Sequence, residues 1–509
     1  MAVLGAKYDN QQLSKGTFSA IIYIDGSLVV AEDADGRVIA SGVAGTDDTA
    51  VIQAVVTTIG YGSIFIKRSN DLANHYHITS TIAANPGVVI YSDGAYLDCT
   101  ALNDICFNFN TGAYCYNSPN RTGISGFYVL GSASNTGTLF AKINNIERGV
   151  IVEDLRTRNV YNVVLIVGAC YDAVCRDIRS SAALGTFIHF QYLPGGVLPG
   201  YGPNNAIVDH CEASCSSPIG AIGIFIEASD TIYSDGSTAD GVTITNSWIE
   251  GYAIGIYNQG SGTKINGCSI ATAVGTANKG IFVERRVISG NPNFDAGFDS
   301  FISNNGISCP IDGYGIYVDC IYSDQHITGN ELIGSGSGST GLYSLHECYF
   351  NINGNWFRSC RASISGYVSM APITGNRFFG AGSGYTGIAC DGYYNAVEGN
   401  TFYNLEYDIN NANFRYSIVS GNVCSIPPKM GFAVTTIVRN NYGYVTETFA
   451  SSVGTGSEQT IAHGLVDTPR KVSVLPTVRG ATVMGVWADA TYLYITVTSG
   501  KPYKWGAEV

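Results

Sequence analysis

Six short segments of the 509-residue chain share one frame of glycine, an aliphatic residue and three more positions: GIFIE (223–227), GIYNQ (255–259), GIFVE (280–284), GIYVD (315–319), GLYSL (341–345) and GIACD (387–391). In a strand, side chains alternate between faces, so the residue after glycine points inward and the third and fifth positions point outward. Two outward columns follow. One is aromatic, with Phe225, Tyr257, Phe282, Tyr317 and Tyr343; the other is mostly acidic, with Glu227, Gln259, Glu284, Asp319 and Asp391. Rings beside carboxylates suit a long neutral polymer of rings, because sugars stack on aromatic faces and hydrogen-bond to acids. If Glu284 and Asp319 occupy adjacent coils, their carboxyls lie ~5 Å apart, the retaining-glycosidase separation; Glu227 and Glu284, straddling Gln259, would lie ~10 Å apart, near the inverting limit. Either pair could supply an acid and a base or nucleophile, and stacked carboxylates push one another's pKa values apart.

The same columns have plainer uses. Outward rings also form trimer interfaces, and stacked carboxylates can be solvated or hold a cation such as calcium. No metal site is expected, and calcium is the one cofactor the pattern would suit. Two inserted stretches, 228–240 and 285–301, leave the repeat beside this face and make Tyr233, Asp235, Asp295 and Asp299 second-rank candidates, since long loops on one face of a repeat protein tend to build its groove. Lyase chemistry needs a cationic base; Lys279, Arg285 and Arg286 lie near, but low basic content suits a polyanion poorly, so hydrolysis is the better expectation. His189, His210, His326 and His346 pair with no Ser or Cys in a nucleophile motif and read as structural. The pairs Cys170/Cys175 and Cys211/Cys215, the latter beside His210, lack C-x-x-C spacing, so most of the 14 cysteines read as packed thiols.

A repeat must position these columns. ITGNEL (327–332), INGNWF (352–357), ITGNRF (373–378), VEGNTF (397–402) and VSGNVC (419–424) place asparagines at 330, 355, 376, 400 and 422, separated by 25, 21, 24 and 22 residues. Weaker copies, among them VEDLRT (152–157), CRDIRS (175–180) and ITNSWI (244–249), carry a period of about 22 residues upstream. Each repeat holds short alternating runs of Ile, Val, Tyr and Phe between Gly, Asn and Ser, without a ten-residue helical pattern. The leucine-rich frame with its helical return is missing. What remains is a parallel β-helix, each turn laying strands on the turn below, with the repeated asparagines stacked in a structural ladder.

Residues 45–82, GTDDTAVIQAVVTTIGYGSIFIKRSNDLANHYHITSTI, resemble the opening of pectate-lyase-superfamily proteins, in which a D-D-T-x-A-I-Q-x-A stretch starts a capping helix and a G-x-V-x-I strand opens the first coil. The resemblance implies an all-β fold: a right-handed, single-stranded parallel β-helix with one N-terminal capping helix. Here Asp47 or Asp48 would cap a helix over Thr49–Thr58, followed by a strand over Gly62–Lys67. KRSN at 67–70 replaces the family's proline-containing segment. Four regions follow: a β lead-in (1–44) with D-G turns, the helix and first coil (45–82), the β-helix (83–443) and a small antiparallel β module (444–509) that alternates with period two and lacks the G-N motif. The end pieces are similar to those of viral tailspikes and fibres and of archaeal surface proteins, which implies attachment and a homotrimer.

The formal charge of −13, from 40 acidic and 27 basic residues, removes any general attraction for nucleic acid or anionic lipid. No apolar run reaches the ~20 residues of a membrane span, and the start lacks the apolar stretch of a secretory signal. These readings lead to a virion-surface or extracellular tailspike- or fibre-like protein that binds, and could depolymerise, a cell-surface polysaccharide. A free carbohydrate-active enzyme and a non-catalytic structural protein remain open alternatives.

Overall fold

The computed structural model describes residues 18–69, 75–110, 115, 121–192, 202–216, 218–228, 239–275, 277–284, 299–321, 323–336, 338–411, 414–425, 429–430, 436–442, 447–463, 465 and 468–508. Strand makes up 62% of the chain and helix 3%, and the fold is the expected right-handed parallel β-helix. Two compact units divide it, Met1–Gln325 and His326–Val509.

The first unit opens with antiparallel strands Ala20–Asp25, Leu28–Asp33 and Val38–Val43, the first of which also pairs in parallel with Gly62–Ile66. The part of the lead-in at 1–17 lies outside the described residues. A helix spans Asp48–Ile59 and buries Val51, Ile52, Val55 and Val56. The aspartates do not cap it as the sequence suggests. Asp47 makes no side-chain cap bond, and its Oδ2 instead accepts from the Val43 amide at 2.8 Å. The buried Asp48 carboxylate accepts from the amides of Gly45 and His77, tying the helix to the chain on either side. Burial raises its pKa, against those two bonds. Further along, Thr49 Oγ1 accepts from Thr79 N and donates to His77 O, while the Gln53 side-chain amide pairs with both backbone groups of Ala83.

Above the helix, coils stack through three lines of parallel strands. One line runs Ile105–Phe109, Leu139–Asn144, Asn162–Val167, Thr186–Gln191, Ile222–Ile226, Ile254–Asn258, Lys279–Glu284 and Tyr314–Asp319. A second runs through Val150–Arg158, Val174–Ala183, Glu212–Cys215 and Trp248–Glu250, and a third through Ile207–Asp209, Thr243–Thr245, Thr263–Asn266 and Ser300–Ser303. Ile224, Ile256, Ile281 and Ile316 form a wholly buried column inside the first line. The glycine of the repeated frame is required by close approach: a Cβ on Gly223 would meet Gly255 O at 2.4 Å, and one on Gly280 would meet Gly315 O at 2.6 Å.

In the second unit, Thr340–Asn353, Ala362–Ser369, Arg377–Tyr393 and Thr401–Asn411 pair in parallel. The G-N motif has a backbone reason. Gly354, Gly375, Gly399 and Gly421 turn the corner at φ 65°, 64°, 64° and 65°, a left-handed conformation that costs a side-chain-bearing residue energy. Each following asparagine then points into the core. The N–H and Nδ2 of Asn330 donate to Asn355 Oδ1 at 2.9 and 3.0 Å, and the pattern repeats through Asn376, Asn400, Asn422 and, one rung beyond the motif, Asn441. Beside this ladder Phe357, Phe378 and Phe402 stack at 5.1 and 4.7 Å. Two three-stranded antiparallel sheets follow, built from strands between Glu447 and Glu508 around Leu493, Ile495, Val497, Tyr503 and Trp505.

Candidate functional site

The strand register of the first unit aligns His189, Phe225, Tyr257, Phe282 and Tyr317 as direct neighbours on successive coils. Their rings stack: His189 on Phe225 at 4.6 Å, Phe225 on Tyr257 at 4.7 Å and Tyr257 on Phe282 at 4.7 Å, with planes within 17°. Tyr317 turns edge-on to Phe282, at 79°. This corrects the expectation of an exposed row of ring faces. Each central ring spends both faces on its neighbours, and Phe282 is only 8% exposed, so the stack presents edges. His189 is the member that sequence reading missed. Its coil reads TFIHF (186–190), with Phe187 where the frame has glycine, but the hydrophobic-ring-hydrophobic pattern was there to find.

Beside the rings stand the acids. Glu284 and Asp319 are register partners on adjacent coils, and Glu227 belongs to the coil two earlier. Both glutamates are half-buried and engaged. Glu227 Oε2 lies 2.8 Å from His189 Nε2. Glu284 Oε2 accepts from the Tyr257 hydroxyl and, at 2.6 Å, from Gln259 Nε2. Gln259 was expected to face a ligand, yet it is 1% exposed; its amide also donates to Tyr257 Oη at 2.9 Å and accepts from Ala228 N at 3.2 Å. It is a clamp beneath the carboxylate. Burial, then the bond to Glu284 and its charge, raises the Tyr257 pKa, keeping the phenol a donor. Lys279 completes the group, its ammonium 4.5 Å from the Phe282 centroid and 4.8 Å from that of Tyr317. Burial lowers its pKa, and the charges of Glu284 and Asp319 oppose that shift.

The arrangement places two carboxylates on neighbouring strands, one carrying two donors, beside a half-buried cation. Such a set can hold a polar ring and is chemically competent for acid-base or nucleophilic work. Tyr343 and Asp391 belong to the second unit. There an additional coil, Ala362–Ser369, separates their strands, so Tyr343 faces Ser365 and Asp391 faces Tyr367. That coil lacks the frame's glycine, with Ser363 in its place, and escapes a reading keyed to glycine. Tyr233, Asp235, Arg285, Arg286 and Asp295 lie outside the described residues, while Asp299 is half-buried just before Ser300–Ser303. None of the 14 cysteines is joined in a disulfide, and all but Cys115 and Cys215 are buried. Among the described residues no cluster of three or more His, Cys, Asp or Glu could hold a metal ion, and no helix is long and apolar enough to cross a membrane.

No protein-family profile and no curated protein sequence matches the chain. Solved structures do. The tailspike protein of E. coli bacteriophage HK620 in complex with pentasaccharide superimposes with a TM-score of 0.58 at 13% identity, over 94% of this chain and 92% of that one. The fold is shared with a phage tailspike. A double mutant of that tailspike, also with pentasaccharide, gives a TM-score of 0.57 at 13% identity over the same shares.

Proposed function

We propose that this protein is a virion-surface spike that binds a cell-surface polysaccharide along the carboxylate column of its first unit and cleaves it there. The observation that carries the reading is the register pair Glu284–Asp319, set beside Tyr257, Gln259 and Lys279. Neighbouring parallel strands put carboxyls ~5 Å apart, the separation that retaining glycosidases use. Glu284, its charge held by two donors, suits the nucleophile; Asp319, on the next coil, suits the acid that protonates the leaving oxygen and then activates water. The shared fold of a tailspike solved in complex with a pentasaccharide supports the substrate class.

A homotrimer belongs to the same proposal. The C-terminal module leaves Phe449, Leu475, Met484 and Trp487 50–67% exposed, an apolar surface that a second copy would cover. Sedimentation returning a monomer mass would remove that part.

The covered ring faces favour one competing reading, in which the stack serves only to order the sheet and the protein binds without cutting. The test is incubation with a panel of purified bacterial and archaeal surface polysaccharides, following chain length and the ultraviolet absorbance of unsaturated uronates, with Glu284→Gln and Asp319→Asn alongside. Shortening without absorbance, lost in either variant, is the expected result. Shortening with absorbance would mean a lyase, and no shortening of any bound polymer would leave a non-catalytic spike.

A further inference from the structure

The second strand line of the first unit carries a different chemistry. On the coils of Val150–Arg158 and Val174–Ala183, Glu153 stands opposite Arg176 and the two form an ion pair at 2.6 Å. Three residues along the same strands, Arg156 stands opposite Arg179. Like charges directly opposed across strands are destabilising, and the chain has only 27 basic residues to place. The next two coils continue the column with Glu212 and Trp248. Arg179 meets Glu212 through Nε at 3.5 Å. Arg156 sits 5.2 Å over the Tyr128 ring and has no carboxylate in ion-pair range among the described residues. Trp248 is 49% exposed. Arg156, Arg179, Glu212, Trp248 and Glu250 line a groove of about 350 Å³ together with Ser181 and Ser214.

We propose that this groove is a subsite for an acidic sugar, a uronate unit of the polysaccharide. A guanidinium presents a planar fork of donors matched to a carboxylate, and two such groups facing each other are relieved by an anion between them. The indole offers a flat apolar face for the sugar ring, and the serine hydroxyls offer hydrogen bonds to its own hydroxyls. Overall charge hides this. A chain at −13 reads as unsuited to a polyanion, and the groove as a whole is balanced, two arginines against Glu212 and Glu250, but the Arg156 guanidinium lies over a ring with no carboxylate in ion-pair range among the described residues. The inference rests on the polysaccharide reading above and adds which kind of residue the polymer carries.

The probe is trigalacturonate, titrated into the full chain and followed by calorimetry and tryptophan fluorescence, with maltotriose as the neutral control. Saturable binding of the acidic trisaccharide alone is expected, weakening as salt rises. Arg156→Gln and Arg179→Gln should each weaken it roughly tenfold, as loss of one charge-assisted pair predicts, and Trp248→Phe should remove the fluorescence change. Arg156→Gln relieves a like-charge contact, so its melting temperature should not fall. Equal binding of maltotriose, unchanged affinity in both arginine variants, or no saturable heat at millimolar ligand would overturn the proposal. A Glu284→Gln arm separates the two sites. Binding that survives there while the panel shows no bound polymer would sink the spike reading and leave the groove; binding of neutral polymers only would do the reverse.

Discussion

The asparagine ladder of the second unit and the carboxylate column of the first use the same device, one residue type repeated on successive coils, to opposite ends. In the ladder every rung is buried and neutral, and each amide oxygen receives two donors from the rung before. Nothing is left for a ligand. In the column the acids are half-buried and charged, and they draw their partners from unlike residues, His189, Tyr257, Gln259 and Lys279. Stacking alone therefore does not distinguish scaffold from site. Charge kept at partial burial does, because it lowers stability unless something is gained from it.

The difference can be broken from the scaffold side first. Asn376→Ala orphans the backbone and side-chain donors of Asn355 and should cost ~2–5 kcal/mol; guanidinium unfolding checks it, and amide exchange should accelerate around Asn355 and Asn400. Gly280→Ala drives a methyl group toward Gly315 O and should cost about 1–3 kcal/mol by the same assay. Glu284→Gln, by contrast, should move stability by less than about 1 kcal/mol, since an amide retains the acceptor oxygen, while removing whatever cleavage the protein performs. A large stability loss there would make the column scaffold after all.

Two smaller effects sharpen the comparison. Burial lifts the thiols of Cys170 and Cys211 to about 12 and that of Cys268 to about 11, so iodoacetamide at pH 8 should label Cys115 and Cys215 and spare the rest, as peptide mass mapping would show. Tyr257 should give the smallest signal. Its folded pKa lies above the ordinary 10, so the unfolded chain loses that proton first and the native state is disfavoured as pH rises past 10. Tyr257→Phe should flatten that part of the stability profile.

The fold was legible because glycine at left-handed corners and asparagine behind them cannot be exchanged freely, so their spacing survives in the sequence. The acid and ring columns were legible to the same degree, where the Gly-aliphatic frame is kept. It fails at 186–190, where Phe187 replaces glycine and hides His189, and at 362–369, where a whole coil goes unread. Alternation gives the face of a side chain but not its torsions, which is why covered ring faces and the burial of Gln259 came only with the structure. The two aspartates before the helix show a further limit, since capping physics allows a carboxylate to accept from amides behind it as well as ahead. Arg156 and Arg179 stand in the repeats VEDLRT and CRDIRS; only pairing register turns that recurrence into a contact.

A solenoid of strands has no natural end. Its lowest coil offers backbone donors and acceptors to any strand that arrives, including one from another copy, which is how fibres start. Here Asp48, Thr49 and Gln53 take the places such a strand would occupy, answering His77, Thr79 and Ala83 group by group from a helix that cannot itself be extended as a sheet. The D-D-T-x-x-x-Q run thus withdraws those backbone groups from any incoming strand.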